Sequence, residues 1–383
     1  MTAERRYLLL GLRLGRHVDG LVDAYYGPPE LAEQANAGEP VAAAALAEEA
    51  DALLAEVPDG WLADQLRGLS TCARVLAGEP IGYADEVERC YGVRPVRTDE
   101  AVYAAAHEAL DDLLPGDGSL LERREAWKTR NRLDGERLFP LLRDLLADLR
   151  RRTIEAFGLP EDEEIVLEPV DGEPWWAFNY YLGGRRSRVV VNTDVPTTVQ
   201  DAIHLAAHEV YPGHHTEHAW KERLFVEERG ELGESIMLVP TPQSLLSEGI
   251  AETGGEVLLD EQGRAEMAAI VARHGVTYDP ERAHAIVEAV APLSTVQLDA
   301  ALMIHEEGRS RQEAQAYVER WALVTPERAS HQLDFVTDPT WRAYVVCYSA
   351  GETLCRAWVG GDRDRFRRLL TEQVRVRELS STR

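Results

Sequence analysis

The chain has 383 residues, enough to bury a large core without disulfides, and its 67 acidic against 41 basic side chains give a net charge of -26. That balance argues against a nucleic-acid partner or an anionic membrane surface, because phosphate binding needs concentrated positive charge. The four cysteines, Cys72, Cys90, Cys347 and Cys355, form no C-x-x-C pair and no zinc-knuckle spacing with a histidine, so they read as small buried hydrophobes of a reducing compartment.

In chain order, the N-terminus offers only a short apolar run at residues 7–10 before Arg13, Arg16 and His17, too little for a signal peptide or a membrane span. A cytoplasmic location is therefore expected. To about residue 160 the pattern is one of successive amphipathic helices, broken by Gly/Pro clusters near residues 27–29, 58–60, 78–80 and 115–118. The texture changes over residues 161–195. There Ile165-Val-Leu, Trp175-Trp-Ala-Phe-Asn-Tyr-Tyr181 and Ser187-Arg-Val-Val-Val-Asn192 predict one small antiparallel sheet. Helical periodicity resumes over residues 196–383. The expected architecture is mainly α, a single unit over residues 1–383 with an N-terminal helical half, a small sheet, and a second helical half that carries the histidines.

Five of the eleven histidines fall within residues 204–218. A helix is predicted to begin near Thr197 or Thr198, where Thr197-x-x-Gln200 has capping-box form, and Val199, Ala202, Ile203, Ala206 and Val210 recur at helical spacing on its buried face. Glu209 directly follows His208, as the general base of a zinc hydrolase follows its first ligand. The position four after His208 is Pro212, which cannot ligate, and the next imidazoles are His214 and His215, giving H-E-x-x-P-G-H-H. Six residues along an unbroken helix is about 9 Å, too far for two bonds to one ion. A kink or bulge at Pro212-Gly213 is needed to swing His214 back.

A third ligand is sought on another helix, and the stretch from Leu245 to Gly255 supplies Glu248 and Glu252, four apart on an otherwise small and apolar segment. Glu248 is the candidate ligand. Glu252 is the candidate to orient an imidazole through its free N–H. The His-Glu dipeptide alone carries nothing, since His107-Glu108 and His305-Glu306 lack a second histidine nearby. His204 is expected to pack or hydrogen-bond, and His218 to face solvent.

His208-Glu-Val-Tyr-Pro-Gly-His-His215 followed by Glu248-Gly-Ile-Ala-Glu252 resembles the bacterial domain-of-unknown-function 885 family, regarded as zinc metallopeptidases. Val189-Val-Val-Asn-Thr193, Val22-Asp-Ala-Tyr-Tyr-Gly-Pro-Pro29 and Tyr344-Val-Val-Cys-Tyr348-Ser-Ala-Gly351 agree with segments of its members. The resemblance implies a multi-helix, gluzincin-like peptidase fold with one zinc ion. Its ligands would be His208, His214 and Glu248, with His214 favoured over His215 because glycine precedes it. Glu209 would be the general base acting on an activated water, and Tyr348, then His215, the candidate donors to the oxyanion.

Strand 188–192 is expected to flank the cleft and pair with an extended peptide, which makes Val190 and Asn192 candidate substrate contacts. The expected partner is a peptide or small amide substrate. Two other readings stay open: a non-haem iron enzyme, whose two-histidine-one-carboxylate set has the same donors, and an inactive binding protein on a peptidase-like fold.

Overall fold

A computed structural model describes residues 1–173 and 175–380. Helices dominate it, as the periodicity predicts. Near the N-terminus, Ala3–Leu14, Ala43–Glu56 and Trp61–Leu76 pack around Tyr7, Leu8, Leu10, Leu46, Leu53, Leu66 and Leu69, a core that Ile236 and Leu238 complete from far along the chain. A larger core crosses the boundary near residue 160. In it the long helix Gly135–Phe157 presents Leu138, Leu141, Leu142, Leu145 and Leu149 to the same cluster that holds Val199, Ile203 and Val210. Each buried leucine of this kind contributes about 1.5–3 kcal/mol, so the histidine helix is anchored on its apolar face.

Among the described residues five short strands interrupt the helices: β1 (Val22–Tyr25), β2 (Glu164–Val170), β3 (Ala177–Gly183), β4 (Arg186–Asn192) and β5 (Ile236–Leu238). The sheet forecast over residues 161–195 is present, but it is mixed instead of antiparallel. Its order is β2-β4-β3, with β3 and β4 antiparallel (Phe178 opposite Val190) and β2 and β4 parallel (Val166 opposite Arg188). A tight turn makes β3 and β4 antiparallel neighbours, and β2, entering on the far edge of β4, then runs the same way as β4. Val189, Val190 and Val191 are all buried, the continuous apolar run of a central strand. β1 and β5 form a separate antiparallel ribbon that four and three residues are too few to announce.

The histidine helix begins one residue later than the capping signal suggests. Thr198 caps it: the Asp201 N–H donates to Thr198 Oγ1 at 3.1 Å, and the Thr198 N–H donates back to Asp201 at 2.9 Å. Thr197 instead accepts from Trp176 Nε1 at 3.1 Å, tying the helix start to the sheet. The four cysteines are free, with Cys90, Cys347 and Cys355 buried, as small hydrophobes are, and Cys72 partly so.

Helix Pro242–Leu258 crosses the histidine segment and also packs on a wide, π-helical turn at Cys347–Gly351, which leads into helix Glu352–Val359. The crossing is a backbone-to-backbone contact. A Cβ on Gly249 would overlap the Gly351 carbonyl oxygen and Cys355 Sγ, and a Cβ on Gly351 would overlap the Leu245 carbonyl oxygen. This explains the glycines of Glu248-Gly249 and of Ser349-Ala350-Gly351: they let Tyr344 and Tyr348 approach Glu248. Gly249→Ala is expected to lower stability by about 1–3 kcal/mol through overpacking, read as a shifted urea midpoint with unchanged slope.

Candidate metal centre

The histidine segment folds back on itself as its spacing requires. After helix Val199–Leu205 the backbone widens into a π-helical turn, Ala206–Val210, in which the Tyr211 N–H reaches the Ala206 carbonyl at 3.1 Å. The Tyr211-Pro212 peptide is cis, and the Gly213 N–H donates to the Ala207 carbonyl at 2.9 Å. A new helix, His214–Lys221, then starts. Gly213 makes this reversal possible, because a Cβ there would overlap the carbonyl group of His208. As a result the His208 and His214 rings lie edge to face with centroids 4.8 Å apart.

Helix Pro242–Leu258 brings the carboxylate. Glu248 Oε2 lies 3.7 Å from His208 Nε2 and Glu248 Oε1 lies 3.9 Å from His214 Nε2, and one ligand atom from each residue falls within 4.8 Å of the others. The three side chains are only 12–14 % exposed. Glu248 Oε1 accepts from the Tyr344 hydroxyl at 2.8 Å, whereas Oε2 is buried with no hydrogen-bond partner among the described residues. A buried carboxylate oxygen without a hydrogen bond is costly, and a cation shared by Glu248, His208 and His214 would satisfy it. Borderline nitrogen and oxygen donors in this number fit zinc.

The surrounding groups assign the histidine tautomers. Ser247 Oγ donates to Glu217 Oε2 at 2.6 Å, so its contact of 3.1 Å with His214 Nδ1 is one in which the ring donates, leaving the Nε2 lone pair toward Glu248. Glu217 is fully buried and is bonded in turn by Lys221 Nζ at 2.5 Å. Burial pushes Glu217 up, but the Lys221 charge and the hydrogen bonds from Lys221 and Ser247 outweigh it and hold its pKa below the ordinary carboxylate range. On the other side His208 Nδ1 lies 3.3 Å from Glu252 Oε1. Burial alone would lower the His208 pKa; the carboxylates of Glu252, Glu209 and Glu248 together raise it to about 10, so the metal-free ring carries the positive charge that this ring of acids demands.

Glu209 is partly exposed, and among the described residues its carboxylate has no hydrogen-bond or ion-pair partner; its backbone carbonyl is held by Asn179 Nδ2 at 2.5 Å. Tyr348 sits on the π-helical turn, 45 % exposed, its ring edge-on to Tyr344 at 5.3 Å. Dense protein surroundings, then the charges of Glu248, Cys347 and Glu209, hold its hydroxyl proton well above the ordinary range. Asp23 on β1 escaped the sequence reading. Burial, then Glu248 and Glu209, lift it to about 7, which puts it within charge reach of both.

Other sequence candidates lie elsewhere. His215 is fully buried with both nitrogens engaged, Nδ1 at 2.8 Å from Ser187 Oγ and Nε2 at 2.8 Å from Glu163 Oε2, so it has no nitrogen left to offer an oxyanion. Val190 and Asn192 are each 1 % exposed on the middle strand of the sheet, which has no free edge for a peptide, and Asn192 Nδ2 is spent on the Glu173 and Trp175 carbonyls. His218 is buried against Tyr181, and burial first of all pushes its pKa down to about 3; it does not face solvent. His204 lies 3.8 Å from Glu252 and forms the outer edge of the cluster. Ser247, Glu217, Tyr344 and Asp23 were missed, although Tyr344 shares the helical face of Tyr348.

No family model matches the chain. No curated protein matches it either. Among solved structures it is similar to a protein described as a lipoprotein from Colwellia psychrerythraea, with a TM-score of 0.56 and 14 % identity over 88 % of this chain and 62 % of that one. The chain thus spans less than two thirds of that protein's length. It also aligns with an M32 carboxypeptidase from Deinococcus radiodurans R1, with a TM-score of 0.37 and 14 % identity over 96 % of this chain and 88 % of that one. The first likeness supports the mainly helical fold.

The His215 network yields a pH signature. Burial raises Glu163, but bonds from His215, Tyr211 and Arg150 more than offset this and hold it at about 2, below its ordinary 4.5. A depressed carboxylate stabilises the fold above its unfolded pKa and loses that contribution as pH falls toward the folded value. Glu163→Gln is therefore expected to be less stable than wild type in urea at pH 6, with the gap narrowing between about pH 4.5 and 2. A gap independent of pH would contradict this assignment.

Proposed function

We propose that this chain is a zinc-dependent hydrolase of peptide bonds, with one ion held by His208, His214 and Glu248. The observation that carries the reading is the buried Glu248 carboxylate, whose Oε2 has no hydrogen bond, with Oε2 toward His208, Oε1 toward His214, and the His214 Nε2 lone pair turned to it by Ser247. Zinc in that place would supply Lewis acidity toward water and toward a scissile carbonyl. The protein's own groups do the rest. Glu209, adjacent to His208 and unpaired, is placed to accept a proton from the attacking water and return it to the leaving amine. Tyr348 keeps its proton and is reached by solvent, as a hydrogen-bond donor to a developing oxyanion must be. Tyr344 and Ser247 position ligands: one holds Glu248, the other fixes the His214 tautomer.

The same donors suit ferrous iron, and Glu209 is what favours hydrolysis, since an oxygenase has no evident use for a base beside its first ligand. The test starts from protein purified without added metal. Elemental analysis is expected to find about one zinc per chain, and a mixed peptide library read by mass spectrometry is expected to be cleaved. Glu209→Gln should keep the zinc and lose about 10²–10⁴-fold in kcat, the usual contribution of a general base. Stoichiometric iron without zinc-restored cleavage, or equal digestion by Glu209→Gln, would sink the proposal.

Two tyrosine variants separate their roles. Tyr348→Phe should lower kcat by about 10²–10³-fold with metal content unchanged, as loss of an oxyanion donor does. Tyr344→Phe should instead weaken zinc affinity by about 10–100-fold, measured by competition with a chelator.

A further inference from the structure

Beside the centre lies a cavity of about 770 Å³, within the range of ligand pockets, whose wall includes His204, Ala207 and Glu252 from the two helices that carry the candidate ligands. Its wall holds one basic and one acidic group of side chains, with Asp201, Asp260 and Arg264 also present. At one end Arg124 and Lys128, four apart on helix Leu120–Arg130, meet Arg328 of helix Pro326–Thr337. The three cations are close enough to act on one another: burial lowers the Arg124 and Lys128 pKa values, and Arg328 lowers both further. Among the described residues neither Arg124 nor Arg328 has a carboxylate at ion-pair distance, and Lys128 has only the exposed Glu125 at 3.0 Å.

Arg124 is also held in place. Its guanidinium donates to the carbonyls of Ala322 and Leu323 at 3.1 and 3.0 Å, and Leu323 has the left-handed conformation, φ 52°, that a leucine adopts only under constraint. A basic cluster of this kind stands out in a chain of net charge -26, and two of its members have no direct ion pair among the described residues, Asp201 and Glu125 acting on Arg124 only from farther off.

At the other end Glu256, Glu288 and Glu352 share the single guanidinium of Arg356, and Glu252 and Glu288 repel Glu352. Three carboxylates on one cation leave negative charge uncompensated.

We propose that this cavity takes a short zwitterionic peptide, its carboxylate held by Arg124, Lys128 and Arg328 and its ammonium by Glu256, Glu288 and Glu352. As a substrate site it rests on the hydrolase reading; as a binding site it does not. Free termini, not side-chain identity, are then what the cavity selects.

Binding is measured by calorimetry on zinc-loaded Glu209→Gln with three probes: trialanine, N-acetyl-trialanine and trialanine amide. Trialanine should bind, and each blocked form should bind at least about tenfold more weakly, the cost of losing one charge-assisted contact. In a Lys128→Ala/Arg328→Ala variant, whose replaced side chains are solvent-accessible and leave the core intact, Arg124 alone remains and the preference for trialanine over its amide should fall at least about threefold. Equal binding of all three probes, or no binding by zinc-loaded protein of normal melting temperature, would overturn the proposal. The two readings fail separately. Discrimination among the probes without cleavage of any peptide by wild type overturns the hydrolase and keeps the cavity ligand; cleavage of doubly blocked peptides as fast as free ones does the reverse.

Discussion

The contact on which the rest of the centre depends is Gly213 lying against the carbonyl of His208. A straight helix would separate His208 and His214 by about 9 Å along its axis. The π-helical turn and the reversal after it bring the two rings to 4.8 Å between centroids. The reversal leaves few backbone groups stranded, since the Tyr211 and Gly213 N–H groups find the Ala206 and Ala207 carbonyls and Thr216 Oγ1 takes the Val210 carbonyl. A second wide turn, Cys347–Gly351, does the corresponding work for Tyr344 and Tyr348. In both places a glycine permits a backbone approach that no other residue allows.

Charge explains the remainder of the arrangement. Asp23, Glu209, Glu248 and Glu252 surround two imidazoles, and the metal-free molecule answers by holding a proton on His208 and raising Asp23. A divalent cation would relieve the same imbalance. Behind the centre, Lys221 and Glu217 form a buried pair whose hydrogen bonds end on His214 through Ser247, so a charge far from solvent fixes the orientation of a ring at the surface of the cleft. Breaking such a pair leaves an uncompensated buried charge, which makes it a rigid support.

The mainly helical architecture, a break at Pro212-Gly213 and the meeting of His208, His214, Glu248 and Glu252 were legible because periodicity and ligand spacing are local signals, whereas the wide turn at Ala206–Val210 that precedes the break was not. Partners supplied by tertiary contact were not. Nothing near His215 announces Glu163, 52 residues earlier. Nothing near His218 announces Tyr181. The strand 188–192 looked like a substrate-binding edge because its own residues suit one, yet which strands flank it is decided by how β2 enters the sheet. Asp23 was hidden by the brevity of β1, and Ser247 by its ordinary appearance beside a more conspicuous glutamate. The capping box slipped by one residue because Thr197 and Thr198 both satisfy the pattern and only Trp176 distinguishes them.

All three candidate ligands stand on helices or helix starts, and glycines let those elements approach closely, Gly213 against His208 and Gly254 and Gly255 against Pro212 and Ala207. A donor side chain can rotate away, but the backbone under the three donors shifts only if the crossing of Pro242–Leu258 over the histidine segment opens, a fluctuation that draws on the main core. The spacing of the donors is therefore set by the fold before any ion arrives, and binding would need little ordering of the backbone.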